Sequence, residues 1–176
     1  MEAIVIISVL NLILDIGIVI FMLFVLAPIL RGAPYVPTHQ ERIEKAFSMI
    51  VLQPEQKIVD LGSGDGRILL AAAARGAKAY GLEINPFLAV RAQQAARKKG
   101  LADKVFSCWA NFWWKDLSDY DVVFVYGIPY IMKGLAKKLQ RELKPGARVV
   151  AFVFPLPNWQ PIAQEKSVYV YEKSIS

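Results

Sequence analysis

Three glycines spaced two residues apart, Gly62, Gly64 and Gly66, follow an apolar run that ends in Asp60. Glycine at such positions lets the backbone turn with positive φ and lets a ligand approach the main chain closely. A second acid, Glu83, ends the next apolar run, 23 residues after Asp60. The pattern predicts a loop that binds a small organic cofactor, with a carboxylate at the end of the following strand.

The charge of this loop narrows the class of cofactor. The dinucleotide fingerprint reads G-x-G-x-x-G, whereas this loop reads G-x-G-x-G, and it lacks the Lys-Ser/Thr pair of a P-loop. Asp60 and Asp65 would repel a pyrophosphate, but they suit a cofactor whose near end carries an amine. S-adenosylmethionine is such a cofactor, and the Glu83 carboxylate could accept hydrogen bonds from both of its ribose hydroxyls. A dinucleotide site and a plain turn are the alternatives.

Composition disfavours several other chemistries. The 176 residues include one cysteine and one histidine, Cys108 and His39, so we expect no disulfide framework, no metal site and no Cys/His nucleophile pair. The net charge of +6 would suit acidic lipid headgroups or a nucleic acid. Most basic residues fall on helix faces that we predict to be solvated. An ordinary basic surface is therefore the simpler interpretation, and we expect no nucleic-acid partner.

Strands and helices alternate from residue 57 onward. The predicted strands are KIVDL (57–61), AKAYGLE (77–83), KVFSCW (104–109), YDVVFVYG (120–127) and ARVVAFVFP (147–155). The predicted helices are GRILLAAAAR (66–75), PFLAVRAQQAARKK (86–99) and IMKGLAKKLQREL (131–143), and Asn85 and Pro86 are a favourable N-cap and first-turn pair for the second of them. This order predicts an α/β fold whose parallel sheet carries helices on both faces. After the fifth strand we expect one more alternating strand near the C-terminus.

An amphipathic helix precedes the first strand. Thr38 and Glu41 have capping-box spacing, and Pro54 is expected to end the helix. Before it, RGAPYVPTHQ (31–40) should be extended because of its two prolines. We therefore divide the chain into an anchor (1–31), an extended lid segment with a capping helix (32–56) and a cofactor-binding domain (57–176).

The N-terminal run from residue 3 to residue 30 contains one charged residue, Asp15. A helix of this length is long enough to cross a bilayer. The first basic residue, Arg31, lies on its C-terminal side, so we predict an uncleaved single-pass anchor in contact with lipid and a cytoplasmic domain. Ser8, Asn11 and Asp15 share one helical face, which predicts contact with another membrane helix. Tolerance of a protonated Asp15 in lipid is the alternative.

Five motifs resemble one family of proteins. They are YVPT (35–38), DLGSGDGR (60–67), GLEINPFL (81–88), YDVVFVYGIP (120–129) and LKPGARVVAFVFPLPNW (143–159). Together with the single N-terminal membrane segment, they resemble the membrane-anchored protein-lysine methyltransferases that modify the ATP synthase c-subunit and the adenine nucleotide translocase. The resemblance extends over nearly the whole chain from Pro34 onward. It implies a Rossmann-like class I methyltransferase fold, S-adenosylmethionine as cofactor and a lysine of a membrane protein as substrate.

The resemblance also implies roles for individual residues. The aminoacyl end of the cofactor would lie at Asp60 and the glycine loop, which includes Ser63 and Asp65, and its ribose would lie at Glu83, near Asn85. Asn111 stands where the adenine amine would bind, among aromatic residues that could stack on the ring. Tyr35, Tyr126 and Tyr130 could position the substrate amine, and YVPT could close over the cofactor.

One feature of class I enzymes is missing. The fourth strand ends in YGIPY (126–130), without the acid or amide that holds an amino group in amide-directed enzymes, so that substrate class is disfavoured. Two other functions remain open. One is methylation of a small molecule or lipid at the membrane, and the other is an inactive scaffold that still binds the cofactor.

Overall fold

A computed structural model of the chain describes residues 2–31 and 38–174. The chain divides into two compact units, Met1–Pro34 and Tyr35–Ser176. The first unit contains one helix, α1 (Glu2–Arg31), which at 1.5 Å per residue is about 45 Å long. Within it, residues Val5–Met22 are long and apolar enough to cross a membrane, and their side chains are exposed. The predicted N-terminal helix is therefore present.

The second unit is built on a seven-stranded sheet. Its strands are β1 (Lys57–Leu61), β2 (Lys78–Glu83), β3 (Val105–Trp109), β4 (Val122–Val125), β5 (Arg148–Phe152), β6 (Ala163–Glu165) and β7 (Val168–Glu172). Its helices are α2 (Gln40–Met49), α3 (Arg67–Ala73), α4 (Pro86–Lys98) and α5 (Pro129–Glu142), and a 3₁₀ turn covers Phe112–Trp114. The strand order is β3-β2-β1-β4-β5-β7-β6.

Strands β1 to β5 are parallel, and β7 pairs antiparallel with β5 and β6. The carboxyl ends of the first four strands therefore lie at one edge of the sheet, which we call the carboxyl edge. The register places Asp60 beside Gly81 and Glu83 beside Trp109. The chain order reverses between β1 and β4, and ligands of open α/β sheets bind at such a point.

Helices cover both faces of the sheet, as predicted. Alternate strand residues point to opposite faces, so Ile58 packs in one hydrophobic cluster and Val59 in the other. The first cluster contains residues of α2, α3 and α4, and the second contains the apolar face of α5. Residues of β1 and β4 are almost entirely buried, which explains why β4 is wholly apolar and why β1 is apolar apart from Lys57 and Asp60.

The prediction of one strand after β5 is wrong, because the structure contains two. The additional strand, β6, has only three residues, Ala163, Gln164 and Glu165, and two of them are exposed. It is held through main-chain pairing with β7. Because β6 buries no alternating apolar face, its sequence carries no hydrophobic signal.

The capping box predicted for α2 is also wrong. His39 is the N-cap residue, without a side-chain capping bond, and its carbonyl accepts hydrogen bonds from the main chain of Arg42 and Ile43. Thr38 is buried instead, and its carbonyl accepts a hydrogen bond of 2.8 Å from Arg67 Nη1. The helix ends at Met49, well before Pro54.

Candidate cofactor-binding site

The glycine loop connects β1 to α3 at the carboxyl edge. Gly62, Gly64 and Gly66 have φ values of 87°, 54° and 82°, in the region that favours glycine. The loop is closed by two main-chain bonds, from Gly62 N to the Leu82 carbonyl and from Gly66 N to the Ser63 carbonyl. The prediction that these glycines adopt positive φ angles is therefore confirmed.

Close packing holds the loop against its neighbours. A Cβ on Gly66 would lie 2.7 Å from Ala92 Cβ on α4, and a Cβ on Gly81 would lie 2.5 Å from Ser63 Oγ. A Cβ on Gly62, by contrast, would have no atom within 4 Å. The loop is therefore packed on its Gly66 side and open at Gly62, which leaves room for a ligand against the main chain.

Glu83 fixes the shape of the loop from the neighbouring strand. Its Oε2 accepts a hydrogen bond from Gly64 N and its Oε1 accepts one from Asn85 N, each at 2.8 Å. The side chain is 6% exposed. A carboxylate has about four acceptor positions, so two remain after these bonds. Glu83 can therefore orient the loop and still accept two hydroxyl groups.

Asp60 lies at the base of the site and is 4% exposed. Burial raises the pKa of its carboxyl to about 8, and the nearby charges of Glu83 and Asp65 contribute to this higher pKa. Three carboxyl groups thus lie together at the loop. Such a group of acids disfavours an anionic ligand and favours a ligand whose near end is cationic.

Asp65 is engaged by a neighbouring arginine. Its two oxygens accept hydrogen bonds of 3.0 and 2.8 Å from Nε and Nη2 of Arg67, the first residue of α3. The same guanidinium reaches the Thr38 carbonyl. The Asp65 carboxylate therefore links the loop through Arg67 to the segment that precedes α2, and its predicted contact with the cofactor stays a prediction.

Both predicted asparagines cap helical segments. Asn85 Oδ1 accepts hydrogen bonds from the main chain of Phe87 and Leu88, which confirms its predicted role as the N-cap of α4. Asn111 Oδ1 accepts a bond of 3.0 Å from Trp113 N and caps the 3₁₀ turn. Asn111 lies just after β3, as an adenine-binding residue would, but its oxygen already has one donor.

The predicted substrate-positioning tyrosines fall in different places. Tyr126 directly follows β4 at the carboxyl edge, and its half-buried ring packs against the first hydrophobic cluster. Tyr130 is 63% exposed in the first turn of α5. Tyr35 and most of the YVPT motif lie outside the described residues. Of the three predicted tyrosines, Tyr126 and Tyr130 therefore lie at the same edge of the sheet as the glycine loop, because both follow β4.

Three structural residues escaped the sequence analysis. Arg67 follows Asp65 by two residues, and this spacing is a usable signal for the ion pair between them. Gly81 stands inside a strand, where glycine often marks a close backbone approach. The Trp109 indole donates a hydrogen bond of 2.9 Å to the Ile84 carbonyl, which ties the end of β3 to the segment after β2. No sequence pattern specifies that contact.

The described residues contain no group of three or more His, Cys, Asp or Glu side chains that could hold a metal ion. The site instead fits an organic cation with hydroxyl groups. Asp60 supplies a buried carboxyl group, Glu83 retains two acceptor positions, and the backbone is open at Gly62. These properties match the aminoacyl and ribose parts of S-adenosylmethionine.

Comparison with known proteins identifies lysine N-methyltransferases that are similar to this chain. The human ATP synthase c-subunit lysine N-methyltransferase is 39% identical over 128 residues, which are 73% of this chain and 54% of that protein. The mouse adenine nucleotide translocase lysine N-methyltransferase is 42% identical over 137 residues, 77% of this chain and 59% of that protein. The chain thus spans less than two thirds of the length of these two proteins.

A shorter relative and a solved structure match over most of their length. A protein-lysine N-methyltransferase of Saccharolobus islandicus is 34% identical over 130 residues, 73% of this chain and 81% of that protein. An RNA methyltransferase from Salinibacter ruber, crystallised with S-adenosyl-L-homocysteine, has a TM-score of 0.77 and 31% identity. The alignment covers 80% of this chain and 95% of that one. The Rossmann-like methyltransferase fold is therefore confirmed.

The family model of the ANTKMT methyltransferase domain matches residues 60–163, which begin at Asp60 and include the glycine loop, Glu83 and Asn111. Methyltransferases of this type use S-adenosylmethionine, the cofactor predicted from the loop. This match covers more than half of the chain, and the chain belongs to the ANTKMT methyltransferase family.

Proposed function

We propose that this protein is a membrane-anchored, S-adenosylmethionine-dependent methyltransferase that modifies lysine side chains of a membrane protein. The observation that carries the proposal is the family match over residues 60–163, the stretch that contains all the predicted cofactor-binding residues. Relatives with this domain are named for lysine methylation of the ATP synthase c-subunit and of adenine nucleotide translocase, two membrane proteins.

The chain's own residues would mainly bind and orient the reactants. When bound, S-adenosylmethionine supplies a methyl group activated by its cationic sulfur, so positioning is the chief task of the protein. Glu83 would accept the ribose hydroxyls, and Asp60 would face the ammonium end. The main chain at Gly62 and Gly64 would line the aminoacyl part.

The lysine amine must arrive neutral, since a protonated amine has no lone pair to attack. Tyr126 follows β4 at the carboxyl edge, where its hydroxyl could orient that amine and its ring could contact the alkyl chain. Tyr130 would line the approach, and Tyr35 would close over it with YVPT. Among the described residues at the end of β4, in YGIP, none is an acid or an amide, so we assign no general base.

The proposed organisation follows the sequence prediction. Residues 1–31 would anchor the chain in the bilayer in a single pass, with the catalytic domain in the cytoplasm. Residues 32–56 would form the lid segment and the helix next to the site, and residues 57–176 the cofactor-binding domain. The length and apolar composition of Val5–Met22 support the anchor.

Methyl transfer from labelled S-adenosylmethionine to host membranes tests the proposal. The full chain should label a protein band, and mass spectrometry should locate methyl groups on lysine. Label in the lipid extract would indicate a lipid substrate, and label in RNA would indicate the activity for which the Salinibacter protein is named. Glu83→Ala serves as the control with impaired cofactor binding.

The inactive-scaffold alternative predicts a different result. A scaffold would bind S-adenosylmethionine in a calorimetric titration but would label no fraction, even with membranes from the natural host. Binding without any transfer under those conditions would refute the proposed enzyme activity. Transfer to lipid or RNA alone would refute the lysine substrate and leave the methyltransferase assignment standing.

A further inference from the structure

Four large aromatic side chains are exposed at the carboxyl edge of the sheet. Phe87 is 73% exposed, Trp109 71%, Trp114 82% and Tyr130 63%. Each lies at or just after the carboxyl end of a parallel strand: Phe87 after β2, Trp109 and Trp114 at and after β3, and Tyr130 after β4. They therefore share the edge that carries the glycine loop.

Most other aromatic residues in the described part of the domain are buried or half-buried. Phe124, Phe152 and Tyr171 are fully buried, and Trp159 packs on Tyr171 with ring centroids 5.5 Å apart. Burying a large aromatic side chain is favourable, because it removes a large apolar area from water. Four exposed aromatics at one edge therefore indicate a surface that is covered during function.

Exposed cations accompany these aromatic residues. Arg91 stands four residues after Phe87 and so shares its face of α4, Lys115 follows Trp114, and Lys133 stands three residues after Tyr130 on α5. All three are exposed. An exposed acid in this part of the chain, Asp116, accepts hydrogen bonds from the main chain and hydroxyl of Ser118.

We propose that this surface lies in the headgroup region of a bilayer that contains anionic lipid. We call it the aromatic edge, and it consists of Phe87, Arg91, Trp109, Trp114, Lys115, Tyr130 and Lys133. Trp and Tyr concentrate at membrane–water interfaces, because the apolar part of each ring can contact lipid while the N–H or O–H group remains solvated. Arg and Lys beside them attract anionic headgroups.

A bilayer is favoured over a nucleic acid because of α1. Aromatic and basic residues together could also stack on and neutralise single-stranded RNA. A membrane-spanning helix, however, would hold the attached domain close to the bilayer. The effective concentration of lipid around the domain is then high, so weak contacts are enough to dock it on the membrane. The inference rests on the proposed anchor, and it adds that the cofactor loop opens toward the membrane surface.

Tryptophan quenching by brominated lipid tests the contact. The full chain is reconstituted in nanodiscs with anionic lipid, some of it brominated near the headgroup end of the acyl chains. The chain has four tryptophans and none in α1, so quenching reports only the domain. We expect strong quenching that falls by roughly half in Trp114→Phe and in Trp109→Phe. Trp159→Phe should leave the quenched amount unchanged.

A matched pair of charge variants on α4 tests the electrostatic part. Arg91→Gln removes a cation near the carboxyl edge, whereas Lys98→Gln removes an exposed cation at the other end of the same helix. Arg91→Gln should lower the docking constant derived from quenching about fivefold in anionic nanodiscs. It should have no effect in neutral nanodiscs, and Lys98→Gln should have little effect in either.

Equal quenching in all the tryptophan variants, or none in the wild type, would overturn the inference. Fluorescence changes of Trp109 and Trp114 with single-stranded RNA, but not with brominated lipid, would also overturn it and would identify the aromatic edge as a nucleic-acid surface. Thermal unfolding of each variant verifies that it is folded. Failure of the proposed function is distinguishable, because absent lysine methylation leaves the quenching pattern unchanged.

Discussion

Removal of the Glu83 carboxylate should weaken the binding of S-adenosylmethionine strongly. If Glu83 binds the ribose as proposed, the cofactor would lose two hydrogen bonds to a charged group in Glu83→Ala, each worth about 1.5–3 kcal/mol. Water can replace part of that interaction, so we expect a net loss of about 2–4 kcal/mol in the binding free energy of the cofactor. The Kd for S-adenosylmethionine should then rise about 30- to 1,000-fold.

The same substitution affects the ligand-free protein. Gly64 N and Asn85 N lose their acceptors, and an unpaired buried donor costs about 1–3 kcal/mol. Glu83→Ala should therefore also lower the melting temperature. Glu83→Gln keeps one acceptor oxygen and the side-chain shape, so its Kd should rise only about tenfold if about 1.4 kcal/mol is lost.

Isothermal titration calorimetry measures these affinities, and calorimetric unfolding without ligand measures stability. Glu172→Gln is the matched control, because Glu172 lies at the opposite edge, where it pairs with Arg148 in a half-exposed ion pair. It changes the net charge by the same amount but should leave the Kd unchanged. A folded Glu83→Ala protein with wild-type affinity would refute the assignment of Glu83 to the ribose.

Three further predictions concern residues at the carboxyl edge of the sheet. Because burial raises the pKa of Asp60 from 3.8 to about 8, the folded protein retains a proton that the unfolded chain releases. The free energy of unfolding should therefore fall as pH rises from about 4 to about 8, by at most ~1.4 kcal/mol per pH unit, and Asp60→Asn should remove this slope in unfolding experiments. Gly66→Ala should destabilise the fold by about 2–4 kcal/mol, since its Cβ would meet Ala92 at 2.7 Å, whereas Gly62→Ala should cost only about 1–2 kcal/mol of backbone strain. Tyr126→Phe should lower kcat for lysine methylation about tenfold and leave the Kd for S-adenosylmethionine unchanged, if the hydroxyl orients the amine.

Each of these predictions has a specific contrary result. A wild-type pH slope that persists in Asp60→Asn would mean that another group causes it. Equal stability losses in the two glycine variants would mean that Ala92 yields without cost. Full activity of Tyr126→Phe would show that the Tyr126 hydroxyl does not position the lysine. Tyr130→Phe, measured in parallel, would show whether the more exposed tyrosine has that role.

The sequence was informative wherever burial and local geometry agree. Strand β1 is apolar over most of its length because both faces of the sheet are covered, and the glycine spacing after it reflects positive φ angles. Asn85 before Pro86 is a helix start that needs no tertiary contact, and the structure confirms it. These features depend on neighbours in sequence, so the sequence is sufficient to predict them.

The errors occurred where distant contacts determine the local structure. His39 replaces Thr38 as the cap of α2, and the Thr38 carbonyl instead accepts a hydrogen bond from Arg67, 29 residues later. Strand β6 exists only because β7 offers a partner edge. The same arginine also pairs with the Asp65 carboxylate, a contact that the glycine pattern does not specify, and the predicted contact of Asp65 with the cofactor stays a prediction. A sequence pattern cannot specify such pairings, because either partner alone is compatible with several structures.

Asp60 provides the strongest physical reason to expect a cationic ligand. Its neighbours on β1, Val59 and Leu61, are buried apolar residues, so an apolar side chain at position 60 would stabilise the ligand-free sheet. The fold instead retains a carboxyl group whose ionisation is opposed by burial and by Glu83. A cation bound at the loop would reverse that opposition, because an opposite charge at close range favours the ionised form. The unfavourable burial of Asp60 is therefore expected in a site that binds a cofactor with an ammonium group. Binding of that cofactor should ionise Asp60 and so release a proton near neutral pH.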